Sequence, residues 1–165
     1  MAYWKSKLGI LIAGLIISAS PLFAVEYEWK DMSGAVKSLA DYKGKPIVLH
    51  FWASWCPPCR SEMPTMESWS KTNSDVEMVV VSLDRDIADA EAFLESKGIG
   101  FPALKGDMIK AQRLGVRGLP TTLVIGLDSE IVKTRVGAVQ WDGEEGKAIL
   151  DAARRVAVET AAVHQ

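Results

Sequence analysis

The chain has 165 residues, 48% hydrophobic and 24% charged, enough apolar material for one domain to bury a core without staples. Its formal charge of −2 provides no basic field, so nucleic acid is not an expected partner. No internal repeat or low-complexity tract points to a solenoid or a disordered tail.

In chain order, Lys5 and Lys7 precede an uncharged apolar run over residues 8–19, and SASPLFA follows, ending at Ala24. These are the charged, apolar and small-residue regions of a secretory signal. The run is about twelve residues, short of the roughly 20 that span a bilayer as a helix. Leu22 is bulky for a small-x-small cleavage site, so an uncleaved membrane anchor is the alternative. No cysteine directly follows the run, which excludes a lipoprotein. Residues 1–24 are expected to be the signal or anchor, and residues 25–165 one domain in the periplasm or on the outer face of the membrane. Losing Lys5 and Lys7 takes the formal charge from −2 to −4.

Within the domain, VEYEW (residues 25–29) alternates like a short strand, and GAVKSLADYKGK (34–45) reads as a turn, a second short strand and one helical turn. PIVLHFWA (46–53) is a nearly continuous apolar run, as a strand buried on both faces requires. Residues 57 to about 72 form a helix with an apolar stripe at Met63, Met66 and Trp69. VEMVVVSL (76–83) is a second buried strand. DIADAEAFLESKG (86–98) is a helix ended by Gly98, and DMIKAQRLG (107–115) a shorter one ended by Gly115. TTLVIGL (121–127) and EIVKTRVG (130–137) are strands close enough to pair as a hairpin. WDGEEGKAILDAARRVAVETA (141–161) closes the chain as an amphipathic helix. Strands alternating with helices, then a hairpin and a terminal helix, predict an α/β sandwich with helices on both sheet faces.

Both cysteines, Cys56 and Cys59, fall in FWASWCPPCRSEMP (51–64). The pair could be a metal clip, a structural staple or a disulfide that is made and broken. A two-residue loop removes little chain entropy, so it contributes little as a staple. Structural zinc usually needs four ligands, and beyond the cysteines the chain offers only His50 and His164, at no finger spacing. No metal is expected; a redox pair survives both eliminations. With Cys56 between strand and helix, Pro57 and Pro58 occupy the first turn, where backbone N–H groups have no helical acceptor. The partial positive charge of the helix N-terminus stabilises a thiolate at Cys56. Cys59 lies nearly one turn further and deeper. An exposed, nucleophilic sulfur at Cys56 and a resolving one at Cys59 are expected.

The stretch VLHFWASWCPPCRSEMP, with GVRGLPTTLVIG downstream, resembles the thioredoxin superfamily, and more narrowly the exported TlpA/ResA-like thiol–disulfide oxidoreductases, which include cytochrome c maturation proteins. The similarity runs over about residues 25–157, and VVVSLDRD…AFLESKGIGFPAL resembles the central insertion of that group. The resemblance implies a thioredoxin-like fold, a central mixed β-sheet flanked by helices. It implies that Cys56 attacks, Cys59 resolves and Pro120 is a cis-proline facing the pair. It also implies that the Leu119 backbone pairs with bound substrate, and that Trp55 and Pro57 belong to the docking surface, with core packing as the alternative for Trp55. Pro64 matches a structural proline inside the helix. His50 falls where thioredoxin has a buried acid and this group often asparagine; it is either a proton relay to Cys59 or a hydrogen-bonded core histidine. Glu62 matches a glutamate that some members use near the active site, so it is either catalytic or an exposed ion-pairing residue. Met63 and Met66 suit the core.

The function implied is reduction of client disulfides outside the cytoplasm, such as an apocytochrome c haem-binding site or a copper-site protein. It needs no cofactor beyond the redox-active Cys56–Cys59 pair, and a membrane electron donor of the DsbD/CcdA kind. A general oxidant or isomerase is the alternative within the same chemistry. A non-catalytic holder of apocytochrome or copper is the alternative outside it, since Cu(I) accepts two thiolates, although no methionine- or histidine-rich motif adjoins the pair. A peroxiredoxin is discounted, because Ala53, Ser54 and Trp55 lack that family's proline and threonine arrangement.

Overall fold

The computed structural model describes residues 25–163 except residues 43 and 128; the leader expected over residues 1–24 lies outside the described residues. Seven strands form one mixed sheet: β1 (Glu28–Lys30), β2 (Val36–Ser38), β3 (Ile47–Trp52), β4 (Glu77–Ser82), β5 (Leu104–Lys105), β6 (Thr121–Ile125) and β7 (Ile131–Val136). Four helices accompany them: α1 (Pro57–Thr72), α2 (Ile87–Ser96), α3 (Met108–Arg113) and α4 (Glu144–Val163). A 3-10 turn, Leu39–Tyr42, follows β2. No helix among the described residues is long and apolar enough to cross a membrane.

The strand order is β2-β1-β5-β4-β3-β6-β7. β3 lies deep in this order because all six of its residues are buried, so both faces must be covered. It runs parallel to β4 and antiparallel to β6, which places His50 between Val80 and Thr122. Alternation then sorts β3 between two cores. Val48 and Trp52 pack with Met63, Met66 and Trp69 of α1, Phe93 of α2 and Ile149 of α4. Ile47, Leu49 and Phe51 pack on the other face with Tyr27, Trp29, Leu104 and Ala111 of α3. Fully burying a side chain of this size contributes about 1.5–3 kcal/mol, so the alternation of β3 also decides which helix covers which face.

The terminal helix begins at Glu144, three residues later than expected, and two further departures concern the sheet. The first strand begins three residues later than expected, at Glu28, although Tyr27 is buried beside it. Its hydroxyl donates to the Asp107 carbonyl at 3.1 Å and accepts from the Asp107 N–H at 3.0 Å, and burial pushes the phenol well above its ordinary pKa. The second departure is β5, a two-residue strand too short to show any period. It pairs parallel with β4 and antiparallel with β1, and so joins the N-terminal hairpin to the rest of the sheet.

Candidate active site

The end of β3 and the start of α1 form the site. Cys56 is the N-cap of α1, in extended conformation, with Pro57 and Pro58 in the first turn. The prolines carry no N–H, so the first free donor of the helix is Cys59 N–H, and it points at Cys56 Sγ from 3.4 Å. The next, Arg60 N–H, donates to the Cys56 carbonyl at 3.1 Å. The helix terminus therefore presents its uncompensated donor to the sulfur.

Cys56 and Cys59 are joined as a disulfide, with their Cα atoms 5.3 Å apart. Cys59 is wholly buried in the core beneath α1. Cys56 is only 4% exposed, less than the sequence leads one to expect, because its sulfur is bonded to the buried Cys59 and its side chain belongs to the core packed on α1. Its open side faces a groove of about 380 Å3 whose walls include Trp55, Pro57, Met108, Val116 and Leu119. Trp55 forms a projecting rim and is 62% exposed. The Leu119–Pro120 peptide bond is cis. Thr121 Oγ1 donates to the Gly118 carbonyl at 2.7 Å and Gly137 N–H donates to the Pro120 carbonyl at 2.8 Å, so both flanks of the bond are tied down. Four of the expected site residues, Trp55, Cys56, Pro57 and Leu119, thus share one groove, with Pro120 buried beside it.

His50 and Glu62 do not line the groove. They form a second, buried layer on the α1 side of the sheet. His50 is fully buried and Glu62 is 4% exposed, which sets aside the exposed ion-pairing reading of the glutamate. Glu62 Oε2 accepts from Val139 N–H at 2.8 Å and Trp141 Nε1 at 3.0 Å. His50 Nδ1 lies 2.9 Å from Thr122 Oγ1. The remaining atoms face each other, His50 Nε2 at 3.3 Å from Glu62 Oε1, close enough for an ion pair but not aligned as a hydrogen bond. Trp141 also packs edge-on against His50 and Trp69, sealing the pair from that side. The first turn of α4 passes close against the Trp141 backbone, where a Cβ at Gly146 would collide with the Trp141 carbonyl.

Sequence patterns do not single out Thr122, Val139 and Trp141, nor Met108 and Val116 of the groove. Trp141 is 79 residues from Glu62 along the chain, and no local spacing connects them.

Reduced protein labelled briefly with an alkylating agent at neutral pH should carry the label on Cys56 in preference to Cys59, by about tenfold or more, because only Cys56 combines an open side with the helix terminus. Peptide mass spectrometry reads the ratio; preferential labelling of Cys59 reverses the two roles.

The arrangement has known counterparts. The sequence profile of the Redoxin family matches residues 16–151. The chain is 34% identical over 132 residues to the thioredoxin-like protein YneN of Bacillus subtilis, covering 78% of each chain. It is 34% identical over 125 residues to the thiol-disulfide oxidoreductase ResA of the same organism, covering 74% of this chain and 68% of that one. A Chlorobium tepidum structure assigned as the thiol:disulfide interchange protein DsbE superposes with a TM-score of 0.69 at 29% identity, over 79% of this chain and 94% of that one.

Proposed function

This chain belongs to the Redoxin family and is a thiol–disulfide oxidoreductase of thioredoxin-like fold, and from that premise we propose that it works outside the cytoplasm as a reductase of client disulfides. The observation that carries the reading is the Cys56–Cys59 disulfide at the head of α1, under a groove bounded by the Leu119–Pro120 segment. The leader pattern of residues 1–24 supports the compartment. Clients of the proposed kind are apocytochrome c haem-binding sites or copper-site proteins.

In the proposed cycle, Cys56 thiolate attacks one sulfur of the client disulfide. A mixed disulfide forms, the client S–S bond breaks, and the departing client thiolate takes a proton. Cys59 then loses its proton and attacks Cys56 Sγ, forming the intramolecular disulfide and releasing the second client thiol. The client gains two electrons and two protons, and this chain loses them. A membrane electron donor of the DsbD/CcdA kind returns them. The same pair run in reverse is an oxidant, and about 30 mV in potential, or 1.4 kcal/mol, shifts the balance tenfold.

Docking is assigned to the groove: Trp55 and Pro57 give apolar contact, and the Leu119 backbone beside Pro120 pairs with an extended client segment. Proton handling is assigned to the buried layer. Glu62 follows Cys59 by three residues on the same helix face, and its Oε1 makes no hydrogen bond among the described residues, which supports a role in taking the Cys59 proton with His50 behind it.

The test is turnover of a synthetic peptide disulfide that carries a haem-binding CxxCH segment. Wild-type protein, reduced beforehand to the Cys56–Cys59 dithiol and freed of reductant, should reduce it one for one and end as the disulfide. The double variant Cys56→Ser/Cys59→Ser should lose all measurable reduction while still binding the peptide through the groove. Reduction that survives the double variant defeats the mechanism, and a wild type that binds without reducing is a holder.

A further inference from the structure

Asp84 is a buried carboxylate, 3% exposed, for which the exchange chemistry has no use. It lies just past the end of β4 and forms no ion pair among the described residues. All three hydrogen bonds that its carboxylate accepts come from serines. Oδ2 receives Ser54 N–H at 2.9 Å and Ser82 Oγ at 2.7 Å, and Oδ1 receives Ser54 Oγ at 2.9 Å. The Asp84 N–H donates back to Ser82 Oγ at 3.0 Å. A carboxylate buried without a cation is costly unless its oxygens are filled, and here the filling is specific.

What these bonds hold is the turn that carries the nucleophile. The β3–β4 ladder ends with Leu83 N–H donating to the Trp52 carbonyl at 2.8 Å. Beyond it, residues 53–56 turn toward α1, closed by Cys56 N–H on the Ala53 carbonyl at 3.1 Å. Asp84 takes over where the ladder stops, gripping Ser54 by backbone and side chain two residues before Cys56. The same junction reaches the far wall of the groove. Lys105 Nζ donates to the carbonyls of Asp84, at 3.3 Å, and of Arg85. Gly106 N–H donates to the Ser82 carbonyl at 2.8 Å. Residues 105–107 lead into α3, whose Met108 lines the groove with Trp55.

We propose that Asp84 is a positioning residue for Cys56: through Ser54 it locks the turn of residues 53–56, keeping Cys56 Sγ over the Cys59 N–H and Trp55 in register with the α3 wall. The proposal rests on the reading of Cys56 as the attacking thiol. The N–H at the helix terminus favours a thiolate only while the sulfur stays in front of it. A turn free to drift loses that contact and the alignment for attack.

The experiment compares three variants in reduced protein. Ser54→Ala removes the Oγ–Oδ1 bond but keeps the Asp84 charge and the Ser54 N–H bond. Ser54→Thr keeps the hydroxyl. Asp84→Asn keeps the shape and removes the charge. The midpoint of the pH profile for Cys56 alkylation should rise in Ser54→Ala by about half a pH unit, because the thiolate loses part of its N–H stabilisation. In Ser54→Thr it should stay at the wild-type value. Asp84→Asn is read by its rate of attack on a peptide disulfide, which should fall about tenfold. Removing a negative charge by itself favours the thiolate and weakens it as a nucleophile only with a Brønsted slope of about 0.4–0.5, so a fall as large as tenfold reports misplacement. If Asp84→Asn does not fold, the serine pair decides alone. An unchanged midpoint in Ser54→Ala, a shift that also appears in Ser54→Thr, or a fall in melting temperature with an unmoved profile overturns the proposal. The labelling ratio of Cys56 to Cys59 in the wild type tests the underlying reading separately.

Discussion

Cys59→Ser protein should accumulate a covalent complex with its client, visible as a new band on a non-reducing gel and absent after reduction. Cys56 retains its groove and its place at the head of α1, so the first attack proceeds. The second step then lacks its thiol. Cys59 is buried directly under Cys56, and a thiolate held at that distance acts at an effective concentration that free thiols in solution do not reach. Release of the client should therefore slow by about a thousandfold or more. Cys56→Ser protein should form no such complex, because Cys59 is wholly buried. The trapped partner also reports the direction of electron flow, since a reductase captures proteins with a vicinal or near-vicinal cysteine pair. Failure of Cys59→Ser to trap anything, where wild-type protein is active, removes the exchange mechanism.

Glu62→Ala should be among the most destabilising single changes in the chain. It leaves Trp141 Nε1 and the Val139 N–H without acceptors and His50 Nε2 facing an empty space, all inside the core. Leaving one buried donor without its acceptor typically costs about 1–3 kcal/mol, and this change strands two of them. Against a total of roughly 5–15 kcal/mol for a domain, that is a large share. Equilibrium unfolding in urea measures it, with Glu62→Gln as the reference. Glutamine keeps an oxygen for Val139 and Trp141, so its loss should be well under half that of alanine. A double-mutant cycle with His50→Ala should show coupling of about 0.5–3 kcal/mol, the range for residues in one network. A Glu62→Ala loss below about 1 kcal/mol would show that the core relaxes around the gap and that the network has little energetic weight. The Glu62→Gln variant also separates stability from chemistry. If Glu62 takes the Cys59 proton, this variant folds well and resolves the mixed disulfide slowly.

How much can be read in advance differs between the two layers of the site. The groove layer is largely legible. The Cys56–Cys59 spacing, Pro57 and Pro58 at a helix start, and the Gly118-Leu119-Pro120 run are local signals, and the resemblance assigns each a place. What escapes there is the far wall. Met108 and Val116 come from a short helix and the loop after it, whose packing against the cysteines depends on β5, and a two-residue strand carries no period to read. The buried layer is legible only as two residues with open roles. Alternation along β3 puts His50 on the face of Val48 and Trp52, and helical spacing puts Glu62 on the face of Cys59. Neither rule says that these two faces meet.

The sequence by itself determined the chemistry and the class of fold, because both are written in short-range patterns. Two thiols within one helical turn, prolines that begin the helix, and apolar periods of strand and helix are properties of neighbouring residues. Tertiary structure alone decided which groups grip the turn before Cys56 and what surrounds the buried acid. Trp141 reaches Glu62, Thr122 reaches His50 and Asp84 reaches Ser54 across long stretches of chain. Those contacts exist because parallel β3 and β4 and antiparallel β6 bring remote segments into register around one sheet. Hydrogen bonds made across that register depend on the whole fold closing, and no window of sequence contains both ends.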